Sequence, residues 1–528
     1  MVDHQNRRPK VDLDFTLRRV FGKSSFRPLQ REVISAAIDG HDVFLQAATS
    51  FGKSLCFQLP AVASHGVTLV VSPLLSLMMD QVTTLQANGI PVATINGKTQ
   101  YAERREIMDD LLSGHPKIRL LYVTPEFCST ETFRRNLTRI HAQGELTRVA
   151  IDEAHCISEW GHDFRPAYKE LLWFKTNFKH PPVPITALTA TATASVRTDI
   201  INLLGLDIRT LKMFNTPSAR PNIHYEIRYI PGTDDSCEDH RLHDFLLWLK
   251  QVKSRRDSRL GSNENNSPTV SGIIYVPMRT MADTLAWLLS QSGNDIRAIP
   301  YHAGLGNEER NRIQAMWTSK TPFLSNDNNN NDNEPGPAFS IIVATTAFGM
   351  GIDNPHVRFV IHWTPPRSFE GFVQESGRAG RDGRAALSIV YYNIEERNRV
   401  FTRIQKDDIA DRSGSTRRYT PQTAAAKARN QQARTKSFQK VVDYCQNTGR
   451  CRHEIIKEFS GDYELEMMGS TQEDFSSQFT LSSQPQTPNN LPVSPCDYAC
   501  DVCKYGPEEI NKRQLDVLMD AVAADGLL

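Results

Sequence analysis

The sequence predicts an α/β protein, with two parallel sheets in succession followed by a small helical module that carries cysteines. Three observations predict it. Apolar runs of strand length alternate with longer amphipathic segments over residues 40–215, and the alternation restarts after a polar stretch from Lys253 to Thr269. Five of the nine cysteines are crowded at the end, as Cys445, Cys451, Cys496, Cys500 and Cys503. The 528 residues have room for several domains. No apolar run reaches the roughly 18 residues a membrane span needs, and Met1 to Lys10 has no apolar core of a secretory signal. A net charge of +1 argues against a histone-like basic protein but leaves room for a local basic surface.

In the first series, Val67–Val71, Leu120–Val123, Val149–Ile151 and Ile185–Leu188 are continuous apolar runs, as strands buried on both faces require. In the second, the runs are Ile273–Val276, Ile296–Ile299, Ser340–Val343 and Phe359–Ile361. Ser325 to Pro337 is an Asn/Asp-rich insertion with nothing to bury, and Ser476 to Pro495 is rich in Ser, Gln, Thr, Asn and Pro; both are expected to be disordered. Charge is also segregated. Residues 412–440 hold eight Lys/Arg and no acids, whereas 458–503 hold eight acids and no Lys/Arg. The basic segment reads equally as a solvated helix or a DNA-facing one.

Ala47-Ala48-Thr49-Ser50-Phe51-Gly52-Lys53-Ser54 follows the apolar run Val43-Phe44-Leu45 and precedes an expected amphipathic helix, Leu55 to Ala63. Strand, small-residue loop, Gly-Lys-Ser and helix is the order of a phosphate-binding loop. Backbone N–H groups of Thr49 to Ser54 would cradle phosphates, Lys53 would reach the β- and γ-phosphates, and the Ser54 hydroxyl would ligate Mg²⁺. Ala47 stands where the strict pattern has glycine. Asp152-Glu153-Ala154-His155 closes a further apolar strand. Asp152 there can hold Mg²⁺, Glu153 can orient or deprotonate the attacking water, and His155 can couple the site to its surroundings. Together the two motifs predict ATP hydrolysis.

With these motifs in order, the chain resembles the RecQ family of superfamily 2 ATP-dependent DNA helicases, from about Phe21 to Cys503. The resemblance implies two tandem RecA-like domains and a RecQ-type zinc-binding module. It divides the chain into 1–215, the ATP-binding helicase domain; 216–395, the second helicase domain; 396–508, a helical linker with the zinc module; and 509–528, a tail. Phe26-Arg27-Pro28-Leu29-Gln30 resembles the adenine-recognition motif, with Gln30 pairing the base and Arg27 stacking on it. Ser72 to Gln81 and Tyr122 to Glu126 resemble segments that track single-stranded DNA, Ser72 being the candidate phosphate contact. His155 to Pro166 resembles the family's aromatic-rich loop, in which Trp160 and Phe164 stack on bases while His162 and Arg165 make polar contacts. Thr189-Ala190-Thr191-Ala192 resembles the relay between ATP and DNA. Ile273-Ile274-Tyr275, Tyr301 to Leu305 and Thr345 to Asp353 match later motifs. Gln374 to Gly383 matches the last of them. If helical, it presents Arg378 and Arg381 on one face, to stabilise the charge of phosphoryl transfer, with Gln374 on the water or ribose side.

Cys496-x3-Cys500-x2-Cys503 has near-ligand spacing for Zn²⁺. The resemblance puts Cys451 as the fourth ligand, with Cys445 and His453 as alternatives. The activity it implies is 3′-to-5′ unwinding of DNA, acting on single strands and duplex junctions or forks, with ATP, Mg²⁺ and Zn²⁺, in repair, recombination or replication in the nucleus. Arg7-Arg8-Pro9-Lys10 is a weak import signal. The 25 residues after Cys503 are too few for a winged-helix domain, so strand separation is expected to be weak or to rest on another element. An RNA-dependent ATPase and an ATP-gated DNA-binding scaffold remain as alternatives.

Overall fold

A computed structural model describes residues 11–49, 51–97, 99–159, 164–231, 235–260, 269–293, 295–318, 337–346, 348, 354–413, 421–462 and 494–524. The chain divides into two compact units, one of 1–217 with 460–473 and the other of 218–459 with 474–528. Both expected disordered inserts fall largely outside the described residues, as do the import signal, Ser50, Trp160 and His162.

In the first unit, seven described strands form one sheet: β1 (Val43–Gln46), β2 (Val67–Val71), β3 (Val92–Ile95), β4 (Leu120–Val123), β5 (Leu146–Ile151), β6 (Ile185–Thr189) and β7 (Lys212–Asn215). Their spatial order is β3-β4-β2-β5-β6-β1-β7, and every pairing is parallel. Every residue of β1, β2, β4 and β6 is buried, which is why those runs read as unbroken apolar stretches. Edge strand β7 has no fully buried residue and left no such mark. The helix Leu55–Ala63 differs from expectation. Leu55 to Ala61 are all buried, so the helix after the phosphate loop is a core helix rather than an amphipathic one.

The second unit holds β8 (Ile223–Tyr229), β9 (Val270–Tyr275), β10 (Ile296–Tyr301), β11 (Phe339–Ala344), β12 (Val357–His362) and β13 (Ala386–Tyr392). These make a parallel sheet in the order β10-β11-β9-β12-β13-β8. β9 and β12 pack tightly, since a Cβ on Gly272 would lie 2.0 Å from the Phe359 ring. The polar stretch from Lys253 is not simply a break. Through Leu260 it continues the 26-residue helix Asp235–Leu260, which Phe245 and Trp248 fasten to Phe359 and Phe245 to Trp363; 261–268 lie outside the described residues.

The basic segment enters the helix Pro421–Gln446. Phe438, Val441 and Val442 bury one side of it, Arg429 and Lys436 are exposed, and Lys440 lies 4.5 Å over the Phe459 ring. The segment from 509, expected as a tail, belongs to the helix Pro507–Ala524, which is anchored by buried Ile510. No described helix is long and apolar enough to cross a membrane.

Candidate functional site

The first site forms at the carboxyl ends of the first sheet's central strands, where an open α/β sheet presents its loops to a ligand. The phosphate loop leaves β1, Thr189 ends β6, and Asp152 follows β5. Because β6 lies between β5 and β1, Thr189 sits between the loop and the acidic pair. It touches both sides. Its carbonyl accepts from Ala47 N at 3.0 Å, and its hydroxyl lies 3.1 Å from His155 Nδ1. Thr191 N donates to the same hydroxyl at 3.3 Å. Thr189 thus links the loop to the acidic segment by hydrogen bonds.

The loop is held open by its backbone. Phe51 N donates to Ala48 O, Ala48 N donates to Thr216 Oγ1 at 3.2 Å, and Gly52 has φ +86°. A left-handed residue is needed there, and a Cβ at Gly52 would also meet Gln30 Nε2 at 2.7 Å. Lys53 Nζ donates to Ala47 O at 3.0 Å, so the ammonium is folded over the loop's concave side. Ser54 stands at the N-cap of the following core helix, with no side-chain capping bond.

Asp152 is buried, with its N–H donating to Val71 O and its carbonyl accepting from the buried Tyr168 hydroxyl at 2.9 Å. Burial, with Glu153 beside it, raises its carboxyl to about 7, against the pull of Lys53. A divalent cation at this carboxylate would restore the ionised form. Glu153 is in the left-handed region at φ +49°, with its N–H donating to Asp152 Oδ1. Its carboxylate lies 3.3 Å from His155 Nδ1.

Gln30 is placed differently from a free adenine reader. Its Oε1 accepts from Arg27 N at 2.9 Å and its Nε2 donates to Phe51 O at 2.8 Å, so it braces the phosphate loop. Pairing with a base would have to share or replace these bonds. Arg27 is exposed beside Gly52, where it can cover a ring.

Among the expected DNA contacts, Arg165 and Ser72 belong to one assembly. Arg165 Nη1 donates to Pro73 O at 2.8 Å, which ties the aromatic-rich loop to the segment after β2. Phe164 is half-buried, with Lys169 5.2 Å over its ring. Ser72 is only 1% exposed and its hydroxyl is buried without a hydrogen-bond partner among the described residues, so in this conformation it offers nothing to a phosphate. Gln81 and Tyr122 are structural as well, joined at 2.9 Å with Gln58 Nε2 3.1 Å from the phenol.

In the second unit, Arg378 and Arg381 do not lie on a helix as expected. The helix is Phe369–Ser376, and both arginines follow in turns. Arg220 and Asn222, which the motif reading missed, gather the backbone carbonyls of that turn. Arg220 Nη1 donates to Gly377 O at 3.1 Å and Ala379 O at 3.3 Å, and Asn222 Nδ2 donates to Gly380 O at 2.9 Å and Arg384 O at 2.7 Å. The only sequence signal was a polar pair flanking Pro221 just before an alternating strand. Arg378 is buried. Glu375, on the helix bearing Gln374, meets His362 Nε2 at 2.9 Å. Gly380 has φ +57°, and a Cβ there would stand 2.5 Å from Asn222 Nδ2 and 2.7 Å from Arg384 O. Gly380→Ala should therefore displace the arginine turn. We expect a loss of about 1–3 kcal/mol in denaturant unfolding, accompanied by lower ATP turnover.

The cysteines settle into one cluster. The sulfurs of Cys451, Cys496, Cys500 and Cys503 all lie within 4.8 Å of one another. Cys496 to Cys500 is 3.6 Å and Cys500 to Cys451 is 4.0 Å, close to the roughly 3.8 Å edge of a tetrahedron with Zn–S bonds of about 2.3 Å. The donor set therefore fits a closed zinc site. The two alternative ligands lie elsewhere. His453 Nε2 faces Ala499 O at 3.0 Å, and Cys445 is fully buried and outside the group of four sulfurs. The cluster is pinned to edge strand β8. Tyr225 N donates to Ala499 O, and Asp501 accepts from Ile227 N at 3.0 Å while pairing with buried Arg452 at 2.9 Å.

Comparison with known proteins decides the family. The DEAD/DEAH box helicase model matches residues 27–200, and the helicase conserved C-terminal domain model matches 257–383. ATP-dependent DNA helicase Q5 of Rattus norvegicus is 37% identical over 85% of this chain and 42% of its own length. ATP-dependent helicase SGS1 of Saccharomyces cerevisiae is 32% identical over 95% of the chain and 29% of its own.

The chain belongs to the RecQ family.

It spans about two-fifths or less of the length of these RecQ relatives. Solved helicases share the fold: MrfA bound to DNA has a TM-score of 0.55 at 16% identity, over 75% of this chain and 54% of its own. Mss116p bound to ssRNA and AMP-PNP has a TM-score of 0.51 at 13%, over 86% and 91%. Two RecA-like parallel-sheet domains are thus the RecQ chain's architecture.

Proposed function

We propose that this chain is an ATP-dependent 3′-to-5′ DNA helicase that couples ATP hydrolysis to movement along single-stranded DNA and to duplex unwinding. One observation carries the reading: Thr189 bonds the phosphate loop through its carbonyl and the Asp-Glu-Ala-His segment through its hydroxyl, in a single sheet. The RecQ relatives, named as ATP-dependent DNA helicases, support the same activity. In this reading Lys53 neutralises phosphate charge, Ser54 and Asp152 hold Mg²⁺, and Glu153 orients the attacking water. Gln374, Arg378 and Arg381 serve the transferring phosphate, and the aromatic-rich loop grips DNA at Phe164 and Arg165, with Trp160 and His162 in the same segment. The four cysteines hold a structural Zn²⁺, which supplies no chemistry beyond cross-linking the module. Junctions or forks are the proposed substrates, and nuclear repair, recombination or replication the setting.

ATP turnover should rise on adding single-stranded DNA, and a 3′-tailed duplex should be opened only with ATP. Stimulation by RNA alone would replace this reading with that of an RNA-dependent ATPase. DNA binding without stimulated turnover would leave a scaffold. Binding should weaken as salt rises, since phosphate contacts release counterions. For the metal, the purified chain should carry tightly held zinc that a thiol-blocking mercurial releases. Cys500→Ser should lose it and unfold at lower denaturant, because a structural zinc site contributes directly to folding.

A further inference from the structure

The opposite end of the first sheet carries a second set of metal-ligating side chains. His65 precedes β2, His115 lies in the connection before β4, and Glu145 immediately precedes β5. One ligand atom from each lies within 4.8 Å of the others. The three come from distant parts of the sequence and meet at the amino ends of strands, away from the carboxyl ends that bear the nucleotide loop.

The carboxylate is the unusual member. Glu145 is 7% exposed, and its Oε2 is buried with no hydrogen-bond partner among the described residues. A buried carboxylate oxygen without a donor is costly, and such a group calls for a partner such as an ion. His65 Nδ1 stands 3.6 Å from that oxygen. Two ligands on one tetrahedral cation, at bonds of about 2.0–2.1 Å, would be separated by roughly 3.3 Å, so little movement is needed. Both imidazoles are exposed and can supply it, while leaving a path for the ion to enter.

The backbone beneath is already fixed. Val67 N donates to Glu145 O at 2.7 Å, and Arg119 Nη1 donates to Gly66 O at 3.3 Å. Asp110 accepts from Lys117 N and Ile118 N at 3.1 Å, which holds the turn carrying His115. Gly66 has φ +88°, and a Cβ there would lie 2.5 Å from Glu145 O, so the close approach of the two strand ends depends on glycine.

We propose that His65, His115 and Glu145 form a binding site for a divalent transition-metal ion of the Zn²⁺ class, separate from the cysteine cluster. Two imidazoles and one carboxylate suit zinc, and the exposed side leaves the fourth position to water. The ion would staple the connections before β2 and β4 to the start of β5.

The test is metal stoichiometry of the purified chain titrated with Zn²⁺ against a chromophoric chelator. The wild type should bind one equivalent more than His65→Ala/His115→Ala, and Glu145→Gln should weaken that equivalent. The difference between proteins is the readout, so it does not depend on whether the cysteines are loaded. Equal stoichiometry in wild type and double variant overturns the proposal. A second measurement needs no variant: Co²⁺ added to wild type carrying a single equivalent of zinc, held by the cysteine cluster, should give weak visible bands without a thiolate charge-transfer band. No visible absorption, or a thiolate band, would also overturn it.

Discussion

Lys53→Ala is expected to reduce DNA-stimulated ATP turnover by about 10²–10³-fold, the usual cost of removing one preorganised group that stabilises developing charge. The ammonium sits over the loop at Ala47 O and near enough to Asp152 to favour its ionised form. Removing it takes away phosphate neutralisation and leaves Asp152 with less opposition to the rise caused by burial and Glu153. Metal binding should suffer along with chemistry. Folding should not, because the loop is set by backbone bonds at Ala47, Ala48 and Phe51 and by the left-handed Gly52. The measurement is a turnover assay with saturating single-stranded DNA, alongside a thermal melt. Turnover within tenfold of wild type, with an unchanged melt, would remove Lys53 from the phosphate site.

Asp501→Ala should be the most damaging substitution for stability, at about 3–5 kcal/mol, since it strands a buried charge. Arg452 is fully buried, and its guanidinium meets both Asp501 oxygens, at 2.9 and 3.2 Å, as well as the Tyr444 carbonyl. The same carboxylate accepts from Ile227 N on β8 and from Val502 N at 2.7 Å, so it joins the sheet edge to the helix that carries Cys503. Losing it leaves both backbone donors and one cation unpaired. Replacing both partners by apolar residues, as in Arg452→Met with Asp501→Leu, should recover much of the loss, because the desolvation cost of the pair disappears with it. Urea unfolding of the single and double variants gives the coupling energy. A double variant as unstable as Asp501→Ala would place the cost in the lost backbone bonds instead.

Ser72, Gln81 and Tyr122 stand in segments that resemble DNA-tracking motifs, yet Ser72 is buried and the other two pair with each other. A motif names a segment, while burial is decided by whatever packs on it. The arginine turn shows the same division. The spacing of Arg378 and Arg381 suited a helix, but Gly377 ends the helix, and Arg220 and Asn222 draw the following carbonyls into turns from more than 150 residues away. Strands β8 and β13 were also missed. β8 alternates buried Ile223, Tyr225 and Ile227 with less buried residues, as an edge strand does, and makes no apolar run.

The sequence alone determined the α/β class, the order of the central strands along the chain, the phosphate loop, the acidic tetrapeptide and the closely spaced trio Cys496, Cys500 and Cys503. Each of these rests on residue types or short spacings, so each is local. Tertiary structure decided that Thr189 stands between the two halves of the nucleotide site, that Cys451 rather than Cys445 or His453 joins the sulfur cluster, and that Arg452 and Asp501 weld that cluster to β8. It also brought His65, His115 and Glu145 together. These depend on strand order and on side chains meeting across long separations. Contacts of that kind arise only when the chain closes its loops, and no local pattern of residues encodes them.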